Sequence, residues 1–191
     1  MKISRREAIA RGAAGAMGLF SYTVAGEEKS FTPADARKAN AAFRTLQPAE
    51  VALLEALSEV LLPGSAASGV AHYIDHQLSV DPSQSMLMIK YLRVDPPYTA
   101  FYRAALRAVD EAARHAFGRS VRELNPAQGH ALVSKMATGS SLSWNGPPSR
   151  EVYFVLRSDA VDVVFGTEDG FARLHMQYMA HIAPPTRWGE G

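Results

Sequence analysis

Five segments of this chain carry apolar residues at helical spacing, and proline or glycine bounds each of them. The first begins at Pro48, repeats Val51, Leu54 and Leu61 along one face, and stops before Gly64. The other four lie within residues 68–80, 96–118, 124–139 and 150–166. We therefore expect an all-α domain, an irregular bundle of about five helices joined by Pro- and Gly-rich loops.

Residues 150–166 are the ambiguous case among the five. Their β-branched and aromatic runs suit either a strand or a buried helix. The sequence contains no second run that resembles a partner strand, so we expect a helix here as well.

The chain contains no cysteine. This excludes disulfide bonds, thiolate catalysis, cysteine-ligated iron–sulfur clusters and a covalently attached c-type haem, which needs Cys-x-x-Cys-His. The domain must therefore be held together by its apolar core or by a partner, and a hydrophobic content of 47% is enough for such a core.

The N-terminus has the layout of a secretory signal. Arg5 and Arg6 precede an apolar stretch over residues 8–19, and TVA at residues 23–25 suits a signal peptidase. Paired arginines are typical of the twin-arginine route, which moves folded proteins. The apolar stretch is shorter than the roughly 20 residues that span a bilayer. We predict cleavage after Ala25; the alternative is an ordinary amphipathic N-terminal helix.

These signals divide the chain into three parts. Residues 1–25 are the predicted signal peptide, residues 26–46 are expected to be a polar linker with a short helix after Thr32-Pro33, and residues 47–191 are expected to form the helical domain. The full chain has formal charge +1 and the predicted signal carries +3, which leaves about −2 for the remainder. Such a charge does not indicate a nucleic-acid partner.

The stretch HYIDH places three possible metal ligands on one face of a predicted helix. His72, Asp75 and His76 stand at i, i+3 and i+4, a spacing compatible with a three-ligand zinc site. The resemblance to His-Glu-x-x-His is loose, because the acidic residue does not fall where a general base is needed. We therefore favour an exposed polar face on a short helix.

The C-terminal segment is rich in methionine and aromatic residues. His175 and His181 lie near Met176 and Met179, and these types can ligate a soft metal or haem iron. A stripe of this kind more often forms a packing surface or a protein interface. We expect residues 171–179 to belong mainly to the core.

Six residues are the predicted contacts with a partner protein. Aromatic side chains anchor interfaces, and the proline-containing tail lies beyond the last expected helix. The predicted contacts are Tyr178, Pro184, Pro185 and Trp188 towards the C-terminus, with His72 and His76 in HYIDH.

No constellation in the sequence predicts catalysis. The serines lack a Gly-x-Ser-x-Gly elbow. Adjacent carboxylates at residues 27–28, 110–111 and 168–169 lack the apolar surroundings that separate the acidities of a catalytic pair. We expect no catalytic, cofactor-binding or metal-binding residue in this chain.

Three motifs follow one another in residues 46–79. A helix runs into Leu62-Pro63-Gly64, a Gly69-Val70 step comes next, and the following helix carries Asp75-x-x-Leu78. In this order they resemble the gluconate 2-dehydrogenase subunit 3 family. The stretch YFVLRSDAVDVVFGTEDG is similar to the family's second-half helix and its glycine-containing exit. The resemblance covers most of residues 43–188.

The resemblance implies a non-catalytic small subunit of a periplasmic, flavin-dependent sugar or polyol dehydrogenase. The catalytic subunit is then a glucose–methanol–choline type flavoprotein that holds FAD, and a multihaem cytochrome c often accepts the electrons. Members often carry the twin-arginine signal that the flavoprotein lacks, so Arg5 and Arg6 would export both chains through the twin-arginine translocase. The chain is then expected in the periplasm, where the complex could hold it at the membrane.

Two alternatives stay open. One is a free-standing periplasmic metalloenzyme that uses His72, Asp75 and His76. The other is a periplasmic binding module without a flavoprotein partner.

Overall fold

The computed structural model describes residues 19–140 and 142–177, and this part of the chain is mostly helical. Two strands come first, β1 (Phe20–Val24) and β2 (Glu27–Phe31). Seven α-helices follow in the described residues: α1 (Pro33–Lys38), α2 (Pro48–Leu61), α3 (Val70–Ser79), α4 (Thr99–Phe117), α5 (Pro126–Thr138), α6 (Ser149–Phe165) and α7 (Glu168–Arg173). Short 3-10 helices span Met88–Leu92 and Val121–Glu123.

The five longer helices, α2 to α6, confirm the predicted all-α fold. The ends of these helices lie at the residues that predicted them. Helix α5, for example, begins at a capping box formed by Asn125 and Gln128. Helices α4 and α5 stop at Gly118 and Gly139. These glycines have φ of 70° and 68°, the left-handed conformation that often ends a helix.

Helix α6 resolves the ambiguity of residues 150–166 in favour of a helix. It packs against α2, α3 and α5, and its buried residues recur at steps of three and four. Val152, Val155, Leu156 and Val164 are all buried in this way. Packing on three neighbouring helices outweighs the strand preference of the β-branched residues.

An unpredicted β-hairpin stands before the helices. Strands β1 and β2 pair antiparallel, from Phe20 opposite Phe31 to Val24 opposite Glu27. Their turn is Ala25-Gly26, and both turn residues have positive φ, 52° and 83°, as a two-residue type I′ turn requires. The bond at which the sequence predicts cleavage therefore lies in a hairpin turn, and cleavage there stays a prediction.

The stretch between the predicted signal and the helical domain is folded against α3. It contains the short helix expected after Thr32-Pro33, which is α1, but it also contains β2. Ala36, Ala41 and Leu46 in this stretch are buried, which distinguishes it from an extended linker. Residues 27–30 of β2 are exposed, and their polar character is what suggested a linker.

The buried apolar residues form two clusters. The larger one lies among α2 to α6, and the smaller one joins Tyr22 of β1 to Ala36 and Ala41. In the part of the chain that the structure describes, no helix combines the length and the hydropathy that crossing a membrane requires.

Candidate functional site

The HYIDH stretch lies in α3 and is buried beneath the hairpin. His72 and Asp75 are only 5% and 4% exposed, and His76 is partly buried. The expectation of an exposed polar face is therefore wrong. The physical reason is the hairpin, because Phe20 and Tyr22 pack on this side of α3.

The Asp75 carboxylate fixes the segment that enters α2. Its Oδ1 accepts the backbone N–H groups of Thr45 (2.9 Å) and Leu46 (2.7 Å), and its Oδ2 accepts the N–H of Arg44 (2.8 Å). Hydrogen bonds to an ionised acceptor are about twice as strong as neutral ones. The aspartate of the Asp-x-x-Leu motif is therefore a structural anchor between α3 and the segment before α2.

His72 connects α3 to the segment that follows α1. Its Nε2 lies 3.2 Å from the carbonyl oxygen of Ala41, and its ring centroid lies 4.4 Å from that of Phe43. A carbonyl oxygen can only accept, so Nε2 carries the proton. Burial lowers the pKa of His72, which favours the neutral ring.

His76 lies one turn further along α3 and contacts both aromatic residues of β1. Its ring centroid is 5.0 Å from that of Phe20 and 5.5 Å from that of Tyr22. Burial, and then the nearby Arg44 guanidinium, lowers the pKa of His76. The chain's own hairpin thus packs over His72 and His76, and only the partly buried His76 keeps some surface that a partner could contact. Their contact with a partner stays a prediction.

The same contacts argue against a zinc site formed by His72, Asp75 and His76. Both oxygens of Asp75 already accept backbone N–H groups, so a metal ion at this carboxylate would have to compete with three hydrogen bonds. Over residues 19–140 and 142–177, no group of three or more His, Asp or Glu side chains is placed to hold a metal ion. Among the described residues, no observation favours the metalloenzyme alternative.

Glu28 ties the two strands to the segment before α2. Its carboxylate accepts hydrogen bonds from the hydroxyls of Ser21 and Thr23, the latter at 2.6 Å, and both of its oxygens lie 2.8 Å from Arg44 Nη2. The two hydroxyl hydrogen bonds, with Arg44, lower the pKa of Glu28 to about 2. Because the Arg44 backbone binds Asp75, one polar network joins the hairpin to α3.

The Leu-Pro-Gly and Gly-Val motifs shape the connection between α2 and α3. Gly64 and Gly69 have φ of 91° and 83°, which residues with a Cβ rarely adopt. Glu59 closes the turn by accepting the N–H groups of Gly64 (2.8 Å) and Ala66 (3.2 Å). At Gly69 a Cβ would lie 2.1 Å from the carbonyl oxygen of Pro33, so glycine is what allows α1 to approach the start of α3.

A second buried carboxyl group was not predicted from the sequence. Asp159 of α6 is fully buried, and its Oδ1 accepts the N–H of Met88 at 2.9 Å while its Oδ2 accepts the hydroxyl of Tyr102. Burial raises the pKa of Asp159 to about 7. The residues around Asp159 in the sequence do not predict its burial, since a polar residue among apolar ones in a helix is usually exposed. Its contacts join α6 to α4 and to the 3-10 helix at Met88–Leu92.

Five large apolar side chains of the described residues are exposed. They come from the 3-10 helix at Met88–Leu92 and the segment before it, from α6, and from the residues after α7. Both that 3-10 helix and α7 contact α6. The five, which we call the apolar surface set, are Met86 (41% exposed), Tyr91 (68%), Phe154 (46%), Leu174 (46%) and Met176 (56%). Aromatic residues and methionine are enriched in protein interfaces.

The C-terminal predictions divide between described and undescribed residues. Leu174, His175 and Met176 are exposed, so the expectation of a core environment is wrong for these three, while Phe171 is partly buried. Helix α7 is short, and the chain leaves the core after it. The predicted partner contacts Tyr178, Pro184, Pro185 and Trp188 lie outside the described residues, as do Met179, His181, Arg5 and Arg6.

Comparison with known proteins identifies the family. A family model described as Gluconate 2-dehydrogenase subunit 3 matches residues 48–182. Neither the curated proteins nor the solved structures give a significant match. The family match covers well over half of the chain and includes α2 to α7, whereas the hairpin and α1 precede it. The chain therefore belongs to the gluconate 2-dehydrogenase subunit 3 family, which confirms the resemblance seen in the sequence.

Proposed function

We propose that this member of the gluconate 2-dehydrogenase subunit 3 family is the non-catalytic subunit of a periplasmic, flavin-dependent dehydrogenase. It binds the catalytic subunit in the cytoplasm. The twin-arginine signal that contains Arg5 and Arg6 then carries both chains across the membrane. The flavoprotein has to cross in folded form because its flavin is fitted into its fold before export.

The family match is the observation that carries this proposal. It indicates an accessory subunit of a dehydrogenase complex, and it spans the long helices of the domain. The buried polar groups support a structural role for this chain, because Asp75 and Asp159 direct their oxygens to hydrogen bonds that hold its own elements together.

The partner that fits best is a flavoprotein of the glucose–methanol–choline type. FAD and the substrate site belong to that chain, and a multihaem cytochrome c takes the electrons where the complex includes one. This assignment rests on the family resemblance. The subunit stabilises the folded, flavin-loaded partner by mass action, since it binds the folded form and not the unfolded one.

We assign docking of the catalytic subunit to the apolar surface set beside α6. Tyr91 and Phe154 are its aromatic members, and they expose 68% and 46% of their surface in the free chain. Burying apolar surface against a partner contributes roughly 25 cal/mol per Å². Aromatic side chains also lose little rotamer entropy when they are ordered, and they are frequent anchors of interfaces.

Co-purification from the native host tests the proposal. One version of the chain carries a tag at the C-terminus through a flexible linker. A second carries the tag in the exposed turn at residues 118–119, which is distant in sequence from the C-terminal contact residues and from the apolar surface set. The periplasmic fraction is captured, its chains are counted by gel, and its absorption spectrum is recorded in the flavin band.

A large flavin-bearing chain at a fixed ratio to both tagged versions is the expected result. Recovery with the turn tag but not with the C-terminal tag would support the same proposal and would locate a contact near Trp188. A colourless chain recovered alone with both tags would contradict the proposed function.

A further inference from the structure

We propose that the folded hairpin protects the peptide bond after Ala25 from signal peptidase, so that β1 stays part of the exported protein. This inference rests on the proposed export, because only an exported chain meets the peptidase. Residues 23–25 have the composition of a cleavage site, yet in the structure they are the end of β1 and the first residue of its turn.

The backbone around the predicted cleavage site is already paired. Thr23 lies opposite Glu28 in the hairpin, and on its other edge its carbonyl oxygen accepts the N–H of Ala42 at 2.9 Å. A peptidase that binds the residues before its cleavage site as an extended segment needs those backbone groups free. Ala25 and Gly26, which flank the predicted cleavage site, form a tight turn with positive φ and are not extended.

The hairpin is anchored by α3 and not only by its own strand pairing. A two-stranded hairpin alone is marginally stable in water. Tyr22 is 4% exposed and packs on His72 and His76, and the ring of Phe20 lies 5.8 Å from that of Tyr73. Exposing the cleavage site therefore requires Tyr22 to leave the core. The rate of cleavage then follows the small fraction of molecules in which the hairpin is open.

Cleavage would also remove part of the domain. Hydrolysis adds water across the Ala25–Gly26 bond, leaving a carboxylate on Ala25 and an amine on Gly26, and β1 would then be held only by non-covalent contacts. Its departure would take Tyr22 from the smaller core cluster and two hydroxyl donors from Glu28. Because the twin-arginine route moves folded chains, the peptidase meets the hairpin after it has formed.

The test compares three substrates of a purified type I signal peptidase in detergent micelles. The first is the folded, full-length wild-type chain. The second is residues 1–32 of this chain fused to an unrelated folded protein, where the hairpin has no α3 to pack against. The third is the full-length Tyr22→Ser variant, in which the anchor on α3 is weakened. Intact-mass spectrometry reports cleavage after Ala25.

We expect the fusion to be cut after Ala25 and the wild-type chain to be cut far more slowly. Tyr22→Ser should be cut at least about tenfold faster than wild type, because it raises the fraction of open hairpins. Cutting of the wild-type chain as fast as the fusion would overturn the proposal. Resistance of the fusion would also overturn it, since protection would then not depend on the folded domain.

The N-terminus and the location of the chain recovered from the native host distinguish a failure of this inference from a failure of the proposed function. A periplasmic chain whose N-terminus precedes Phe20 supports the inference, and one that begins at Gly26 overturns it. A chain found only in the cytoplasm contradicts the proposed export, and the comparison of the three substrates then decides the hairpin inference alone.

Discussion

The backbone N–H of Leu46 donates to Oδ1 of Asp75 over 2.7 Å, although the two residues are 29 positions apart in the sequence. The N–H groups of Arg44 and Thr45 donate to the same carboxylate. One side chain of α3 thus satisfies three consecutive backbone donors just before α2 and sets where α2 begins. The most informative stability variant therefore lies at Asp75.

Asp75→Asn should lower the free energy of unfolding by about 2–3 kcal/mol, because hydrogen bonds to a charged acceptor contribute roughly 1.5–3 kcal/mol and the new amide group would face a backbone donor. Urea denaturation followed by circular dichroism measures the change. The matched control is Asp95→Asn at an exposed position, which should stay within about 0.5 kcal/mol of wild type. Equal losses in the two variants would contradict an anchoring role.

Two substitutions in the hairpin turn should change the free energy of unfolding in opposite directions. Ala25→Asn should raise the free energy of unfolding by about 0.5–1 kcal/mol, because asparagine tolerates the positive φ that alanine adopts here. Gly26→Ala should lower it by about 1–2 kcal/mol. A Cβ at Gly26 would meet no atom within 4 Å, so the second variant reports backbone strain without a clash. Thermal unfolding of the two variants should shift in opposite directions, and a shift in the same direction would refute the turn assignment.

Acid should weaken the contact between the hairpin and α3. Burial lowers the pKa of His72 and of His76, so below the usual histidine value of about 6.5 the unfolded chain binds more protons than the folded one. The free energy of unfolding therefore decreases as the pH falls below that value, until the lowered folded-state pKa is reached. The charged groups that act on the two rings are Glu28, Arg37, Arg44, Glu55 and Asp75.

Asp159 changes the free energy of unfolding with pH in the opposite direction, so its contribution must be separated from that of the histidines. Its pKa is raised to about 7, so the stability it contributes is lost as the pH rises from about 4 to about 7. Comparing wild type with His76→Gln at each pH from about 5 to about 7.5 cancels the Asp159 contribution. Wild type should lose more stability than the variant as the pH falls, and parallel profiles would show that His76 does not titrate as described.

Substituting the paired arginines tests the escort role. Arg5→Lys combined with Arg6→Lys should leave both this chain and the flavoprotein in the cytoplasm, because the flavoprotein has no signal of its own in the proposed complex. Immunoblots of cell fractions and dehydrogenase activity in the periplasm measure the outcome. Lys2→Arg serves as a charge-conserving control that should export normally. Normal export of the flavoprotein beside the double variant would refute the escort.

The apolar surface set makes a prediction about affinity. Tyr91→Ser with Phe154→Ser should weaken binding of the catalytic subunit by more than about tenfold, since buried aromatic anchors can contribute 2 kcal/mol or more. Their exposure means that folding should be little affected, which circular dichroism checks. Lys38→Ser on α1 is the matched surface control. Unchanged recovery of the partner with the double variant would place the interface elsewhere.

The helices could be predicted because their signals are local. Capping residues such as Asn125 and stop residues such as Gly118 act within a few positions, and the apolar spacing of α4 follows from helix geometry alone. The hairpin was missed although its pattern is equally local. Phe20, Tyr22 and Val24 alternate with polar residues before a glycine-containing turn, but the same letters also suit the end of a signal peptide.

The buried polar contacts could not be predicted because they depend on distant parts of the chain. HYIDH does place His72, Asp75 and His76 on one helical face, as its spacing indicates. What covers that face is set by residues 20–46, and no local pattern shows that Asp75 will meet three backbone N–H groups there. Asp159 is a similar case, since its partners Met88 and Tyr102 come from two other elements.

Gly69 and Pro33 lie close together, although the family model matches the region of the first and not that of the second. Gly69 lies within the residues that match the family model, whereas Pro33 and the hairpin lie before them. Helix α1 contacts both strands, so its distance from α3 also sets where the hairpin can rest. A Cβ at position 69 would therefore push α1 away from α3 and shift the position of β1 as well. In this chain, one glycine within the family-matched residues thus makes room for α1, on which the hairpin rests.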